Sequence, residues 1–182
     1  ARQVIYLSGI ANDHDLSVHL RSRRAVENVL GQATAPLTVL RASIIIGSGS
    51  ASFEMLRYLV ERLPVMITPR WVRTECQPIA VRNVLYYLVA CLTTPATTGQ
   101  TLDIGGPDVL EYVDMMRRVA AIQGRTMIVV PVPLLTPSLS SRWLSLVTSV
   151  DVQTGRNLVD SMSNEVVVRD DSIRELVPFE PM

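Results

Sequence analysis

Along most of the 182-residue chain, short apolar runs alternate with stretches whose apolar residues recur at intervals of three and four. The runs QVIYL (3–7) and LTVLRASIII (37–46) are rich in β-branched residues and show no polar alternation, the pattern of strands buried on both faces of a parallel sheet. Between them Val26, Val29, Leu30 and Ala33 form one helical stripe, and Ser17 stands where an N-cap belongs. Strand, helix and strand in that order predict a βαβ unit with a right-handed connection. SASFEMLRYLVERLP (50–64) predicts a second helix, opened by serine and stopped at Pro64, with VMIT (65–68) as a short strand after it. The strongest helical period follows Pro78, at Val81, Val84, Leu85, Leu88 and Leu92. TTGQ (97–100) is a turn into the strand TLDIG (101–105), and GGPD (105–108) breaks the chain before a helix over about 111–123 that Gly124 ends. TMIVVPVP (126–133) predicts a last strand, or an edge strand given its prolines. Two helical stretches near 138–148 and 154–162 precede a mixed tail. With no repeat and no linker, the pattern predicts a single α/β unit over 1–182, long enough to bury a core.

Composition narrows the partners. Seventeen basic residues balance seventeen acidic ones, so no net field draws the chain to nucleic acid or an anionic membrane, and a small molecule is the expected partner. Every basic residue is arginine, which stays charged and forms no Schiff base, so lysine chemistry is excluded. Cys76 and Cys91 lack CxxC spacing and lie in or beside apolar segments, which reads as packed thiols in a reducing cytoplasm. The longest apolar stretches, such as VLYYLVACL (84–92), are too short for a membrane span. Asp13, His14 and Asp15 resemble metal ligands, but three consecutive side chains rarely converge on one ion, so no metal is expected. GSGSASF (47–53) sets glycines between a strand and a helix, with spacing wrong for a dinucleotide fingerprint, and no GxGxxG or P-loop occurs. Arg70, Trp71 and Arg73 could clamp a planar or anionic ligand by bidentate bonds and stacking, or simply stack at the surface. Trp143 reads as a helix anchor. His19 and Arg23, four apart, share one helix ridge and should point the same way.

Five segments in order, VIYLSG, HLRSRRAVENVL, LTVLRASIIIGSGS, QPIAVRNVLYYL and QTLDIGGPDVLEYVDMMRRVA, resemble the second half of an atypical extended short-chain dehydrogenase/reductase. The nearest likeness is the NAD-dependent epimerase/dehydratase-like branch of NAD(P)-binding proteins, over residues 3 to about 168. The resemblance implies part of a doubly wound, Rossmann-like parallel sheet with helices, plus a small C-terminal substrate-side lobe. It also implies that the glycine-rich N-terminal cofactor half is absent. Such a unit should pair with the missing half or with itself.

The family carries a serine at a strand end and a Tyr-x-x-x-Lys pair on the next helix. Ser8 matches the serine, with Gly9 beside it, while His19 stands at the tyrosine position and Arg23 at the lysine position. A cation beside an imidazole disfavours the imidazolium, so His19 should be neutral near pH 7, able to accept a proton but poor at giving one. Arg23 retains donors for ribose hydroxyls or phosphate. By the same resemblance Ala42, Ser43 and Ile44 approach the nicotinamide, and Ser50, Phe53, Arg70, Trp71 and Arg73 belong to the substrate side. The implied cofactor is NAD or NADP, bound weakly or not at all by this chain alone. Two functions remain open: an oxidoreductase or epimerase acting on a small carbonyl or hydroxyl substrate, and a non-catalytic module that holds NAD(P).

Overall fold

A computed structural model describes residues 1–11, 16–63, 65–68, 70–131 and 160–182. Its centre is a three-stranded parallel sheet in the order β1 (Val4–Gly9), β2 (Leu37–Ala42) and β7 (Thr101–Ile104). Helix α1 (Val18–Leu30) connects β1 to β2, and Ser17 caps it by accepting from the Leu20 N–H at 3.3 Å. Side chains alternate between faces along each strand, so one face presents Leu40, Ala42, Leu102 and Ile104. These pack with Val84, Tyr87 and Cys91 of α3 (Val81–Thr93) and with Ile173 and Val177 at the short helix Ser172–Leu176. The opposite face presents Ser8 and Arg41 to α1, with Ser8, Arg41 and Asp103 side by side across the three strands.

A second core joins α2 (Ala51–Arg62) to α4 (Tyr112–Ile122) through Met55, Leu56, Leu59, Val113 and Met116. Here β4 (Val65–Thr68) pairs in parallel with β9 (Ile128–Pro131), apart from the main sheet. Two small pairs complete the described strands: β3 (Ile45–Ile46) with β6 (Ile79–Ala80), and β5 (Glu75–Cys76) with β8 (Leu110–Glu111). Among the described residues no helix is long and apolar enough to cross a membrane.

Three expectations need correction. The run 37–46 is not one strand: at Ser43 the hydroxyl donates to the Val166 carbonyl at 2.6 Å and accepts from the Gln77 N–H at 3.0 Å, which ends β2 and starts β3 two residues later. The stripe on α1 is also misplaced. Val29 is 68% exposed and Ala33 lies beyond the helix, while Leu20 and Glu27 are buried, because the sheet offers this helix a polar row. On α3, Val81, Leu85 and Leu92 face outward and Asn83, Val84, Tyr87 and Cys91 face inward. That helix is apolar nearly all round, so its period cannot select the buried arc; Tyr87, set edge-on against Phe179 at 5.5 Å, lies on the arc that is buried. The strand at TMIVVPVP covers 128–131 among the described residues and, paired only with β4 in a two-stranded sheet, is an edge strand as expected. The expectations for 138–148, for Trp143 and for all but the end of 154–162 lie outside the described residues.

Candidate functional site

Parallel strands end together, and the crevice beyond their carboxyl ends is where open α/β sheets hold ligands. A cavity of about 230 Å³ opens there, past β1 and β2, lined by Ser8, Gly9, His19, Arg23, Ala42, Ser43, Ile44 and Ser50, with Ser161, Met162 and Val166 from the C-terminal segment. That segment is fixed over α1: the Ser17 N–H donates to Asn164 Oδ1 at 3.1 Å, and the Ser17 and Ser161 hydroxyls lie 3.4 Å apart.

His19 and Arg23 are joined as their spacing suggested. Arg23 Nε donates to His19 Nε2 at 3.1 Å, and its Nη1 donates to the Leu7 carbonyl at 3.0 Å, tying α1 to β1. Because His19 Nε2 accepts, the neutral ring carries its proton on Nδ1. Its pKa is lowered, first by desolvation and then by the Arg23 charge. The Arg23 charge, expected from the spacing, is the smaller of the two causes.

Ser8 is 3% exposed and donates its hydroxyl proton to Glu27 Oε1 at 2.6 Å. Glu27 in turn accepts from Arg41 Nη2 at 2.6 Å and Arg41 Nε at 3.3 Å, with Arg24 Nη1 at 3.5 Å. Burial opposes the carboxylate, but the bonds from Arg41 and Ser8 and the charges of Arg41 and Arg24 outweigh it and hold the Glu27 pKa below its ordinary value. Asp103, next to Arg41 in the strand register, is shifted the other way, chiefly by desolvation. Glu27 escaped the sequence reading, although the spacing of four that links His19 to Arg23 continues to it along the same ridge.

The other expected site residues divide. Ser43 lines the cavity, but its hydroxyl is engaged on both sides, and the Ala42 carbonyl, Ser43 N–H and Ile44 carbonyl all pair with neighbours, so this loop offers a ligand mainly apolar contact. Gly9 fits beneath α1: a Cβ there would stand 3.1 Å from Leu20 Cδ2. Ser50 caps α2 by accepting from the Phe53 N–H at 3.5 Å, so the GSGSASF turn spends its serine on its own helix. Phe53 points elsewhere, into a separate, mostly apolar cavity of about 310 Å³ with Pro78, Leu110, Met115 and Val119. Arg73 is exposed on the 3₁₀ turn Arg70–Arg73 and is not among the residues lining the Ser8 cavity; the side chains of Arg70 and Trp71 lie outside the described part, as do Asp13, His14 and Asp15. Among the described residues no group of three His, Cys, Asp or Glu could hold a metal ion. Tyr112 also lines the cavity, but desolvation pushes its phenol far above the ordinary value, which removes it as a base near neutral pH.

No family model matches the chain, and no curated protein matches it by sequence. Solved structures match it in fold. A nucleoside-diphosphate-sugar epimerase from Staphylococcus aureus superposes with a TM-score of 0.76 at 14% identity, covering 100% of this chain and 62% of that one. An NADPH-dependent quinone oxidoreductase from Escherichia coli, complexed with NADPH, superposes with a TM-score of 0.79 at 12% identity, covering 100% of this chain and 62% of that one. A dTDP-glucose 4,6-dehydratase from Bacillus anthracis, in complex with NAD, gives a TM-score of 0.64 at 11% identity, with coverages of 98% and 56%. At these identities the likeness is one of fold: the chain has a Rossmann-like α/β fold and spans about three fifths of the length of these structures.

Proposed function

We propose that the chain forms the nicotinamide-side pocket of an NAD(P)-binding protein, and that this pocket binds its ligand without hydride transfer. The observation that carries the reading is the cavity beyond β1 and β2 with Arg23 on its wall, in a fold shared with proteins solved with NADPH and NAD. At about 230 Å³ it is smaller than the roughly 300–1,000 Å³ of whole-ligand pockets, which fits a nicotinamide end rather than an entire dinucleotide. A bound dinucleotide would supply a hydride donor or acceptor. Arg23 uses two of its five N–H groups on His19 and Leu7, leaving the rest for ribose or phosphate oxygens. The pyrophosphate in such folds rests on a glycine-rich turn at a helix N-terminus, and we assign that role to a further segment acting with this α/β unit.

Binding without turnover is supported by what the polar groups already hold. The Ser8 hydroxyl is engaged as a donor to Glu27, and His19 would have to break its bond from Arg23 to take up a proton at Nε2. A second reading, an oxidoreductase or epimerase on a small carbonyl or hydroxyl substrate, rests on the neutral, exposed His19 at the cavity rim.

Calorimetry with reduced nicotinamide mononucleotide, together with nicotinamide absorbance measured for NADPH over a panel of carbonyl compounds, tests both. The expected result is weak binding, in the millimolar range, that Arg23→Ala lowers about tenfold, with no loss of NADPH absorbance. Binding indifferent to Arg23→Ala would remove the pocket assignment. NADPH consumption abolished by His19→Ala would establish the enzymatic reading instead.

A further inference from the structure

A serine hydroxyl has one proton to give and two lone pairs to offer. In this cavity the proton is spent: Ser8 donates it to Glu27 Oε1 at 2.6 Å, the short length of a bond to an ionised acceptor. Glu27 is held ionised by Arg41 Nη2 at 2.6 Å and by Arg24 Nη1 at 3.5 Å, both of which can only donate. A ligand group that reaches the Ser8 oxygen therefore meets lone pairs alone. We infer that the pocket selects, at Ser8, a ligand that brings a hydrogen-bond donor, so that of a matched alcohol and ketone it prefers the alcohol. This rests on the cavity being the ligand pocket proposed above and specifies the chemistry it accepts.

The selectivity resides in Glu27, which sits behind Ser8 and is not among the cavity-lining residues. Glu27→Gln should reverse it. Oε2 faces two arginine donors, Arg41 Nη2 at 2.6 Å and Arg24 Nη1 at 3.5 Å, and Oε1 only the longer contact from Arg41 Nε at 3.3 Å, so the new amide turns its oxygen to the Oε2 position and its NH₂ to the Oε1 position, facing Ser8, and gives up the Nε contact. The amide then donates to Ser8 Oγ and frees the hydroxyl proton for the ligand. The geometry thus makes Glu27 a specificity-determining residue that acts through Ser8.

The test is a two-dimensional NMR titration of the labelled chain with cyclohexanol and with cyclohexanone, followed at the Ser8 and Gly9 amides. The wild-type chain should bind the alcohol about fivefold more tightly, the worth of one ordinary hydrogen bond. Glu27→Gln should favour the ketone by a similar factor, and Ser8→Ala should bring the ratio close to one. Should the glutamine variant fail to fold, Ser8→Ala still decides the matter. Equal affinities in the wild type, a preference for the ketone, or a preference that survives Ser8→Ala would each overturn the inference. Reduced nicotinamide mononucleotide serves as the reference ligand. If it moves the pocket amides while the alcohol and ketone do not differ, donor selectivity fails and the pocket assignment stands; if none of the three moves them, both fail.

Discussion

Replacing Glu27 by alanine should destabilise the protein more than any other single change to a polar residue at the sheet–helix interface. The carboxylate has 7% of its surface exposed and accepts from Ser8 and Arg41, each at 2.6 Å, with Arg24 at 3.5 Å. Its removal leaves a buried hydroxyl without its acceptor and an arginine without its counter-ion. Breaking a fully buried ion pair costs about 3–5 kcal/mol because an uncompensated charge stays behind. Arg41 is 22% exposed and Arg24 32%, so water recovers part of that cost, and about 2–4 kcal/mol is the working figure. For a chain of this length each kcal/mol lowers Tm by roughly 2–4 °C, which puts the expected loss between about 4 and 16 °C.

Thermal melts followed by circular dichroism measure it, and a double-mutant cycle with Arg41→Ala isolates the pair. The cycle should show a coupling energy of at least about 1 kcal/mol. The acid side gives a second check. The Glu27 pKa is lowered from an ordinary value of 4.5, so its stabilisation is present above that value and is lost as pH falls through the lower folded value. Asp103, raised chiefly by desolvation, works with the opposite sign and is present in both proteins. The gap between wild type and Glu27→Ala should therefore shrink in acid. A Tm change under about 2 °C with additive single effects would refute the reasoning.

Three further outcomes are expected. Gly106→Ala should prevent folding or cost several kcal/mol, since its Cβ would stand 2.0 Å from the Pro78 carbonyl oxygen; Gly9→Ala, at 3.1 Å from the end of the Leu20 side chain, should cost about 1 kcal/mol, and chemical denaturation compares the two. NMR titration of His19 should give a midpoint below 6.5, and Arg23→Ala should restore it only in part because desolvation is the larger cause. The neutral ring is the form the fold favours, so this contribution is complete above pH 6.5 and declines as pH falls through the folded value. Cys76, buried with its thiol pushed up to about 12, and Cys91, raised in the same direction, should resist a thiol reagent at neutral pH until the chain is unfolded.

Much of the fold was legible because parallel strands announce themselves. The β-branched runs at 3–7 and 37–42, the Ser17 and Ser50 caps and the Gly124 stop all stand where local chemistry puts them. Which arc of each helix turns inward was not legible. On α3 nearly every position is apolar, and on α1 the sheet offers a polar row, so the buried arc is set by partners 14 or more residues away: Glu27 by Arg41, Tyr87 by Phe179. The same limit applies to the site. Spacing alone linked His19 to Arg23, but a chain of polar partners running Ser8, Glu27, Arg41 crosses two strands and a helix, and only the strand register aligns it. Phe53 lies three residues from Ser50, yet the helix that Ser50 caps carries it into the other cavity.

The central claim, that the cavity beyond β1 and β2 receives a nicotinamide, is tested most directly by intermolecular nuclear Overhauser effects between reduced nicotinamide mononucleotide and the chain. Contacts from the pyridine ring protons to Gly9, Ala42 and the His19 ring are the result expected. Contacts confined to Phe53, Met115 and Val119 of the neighbouring apolar cavity, or to the exposed face of α3, would contradict it.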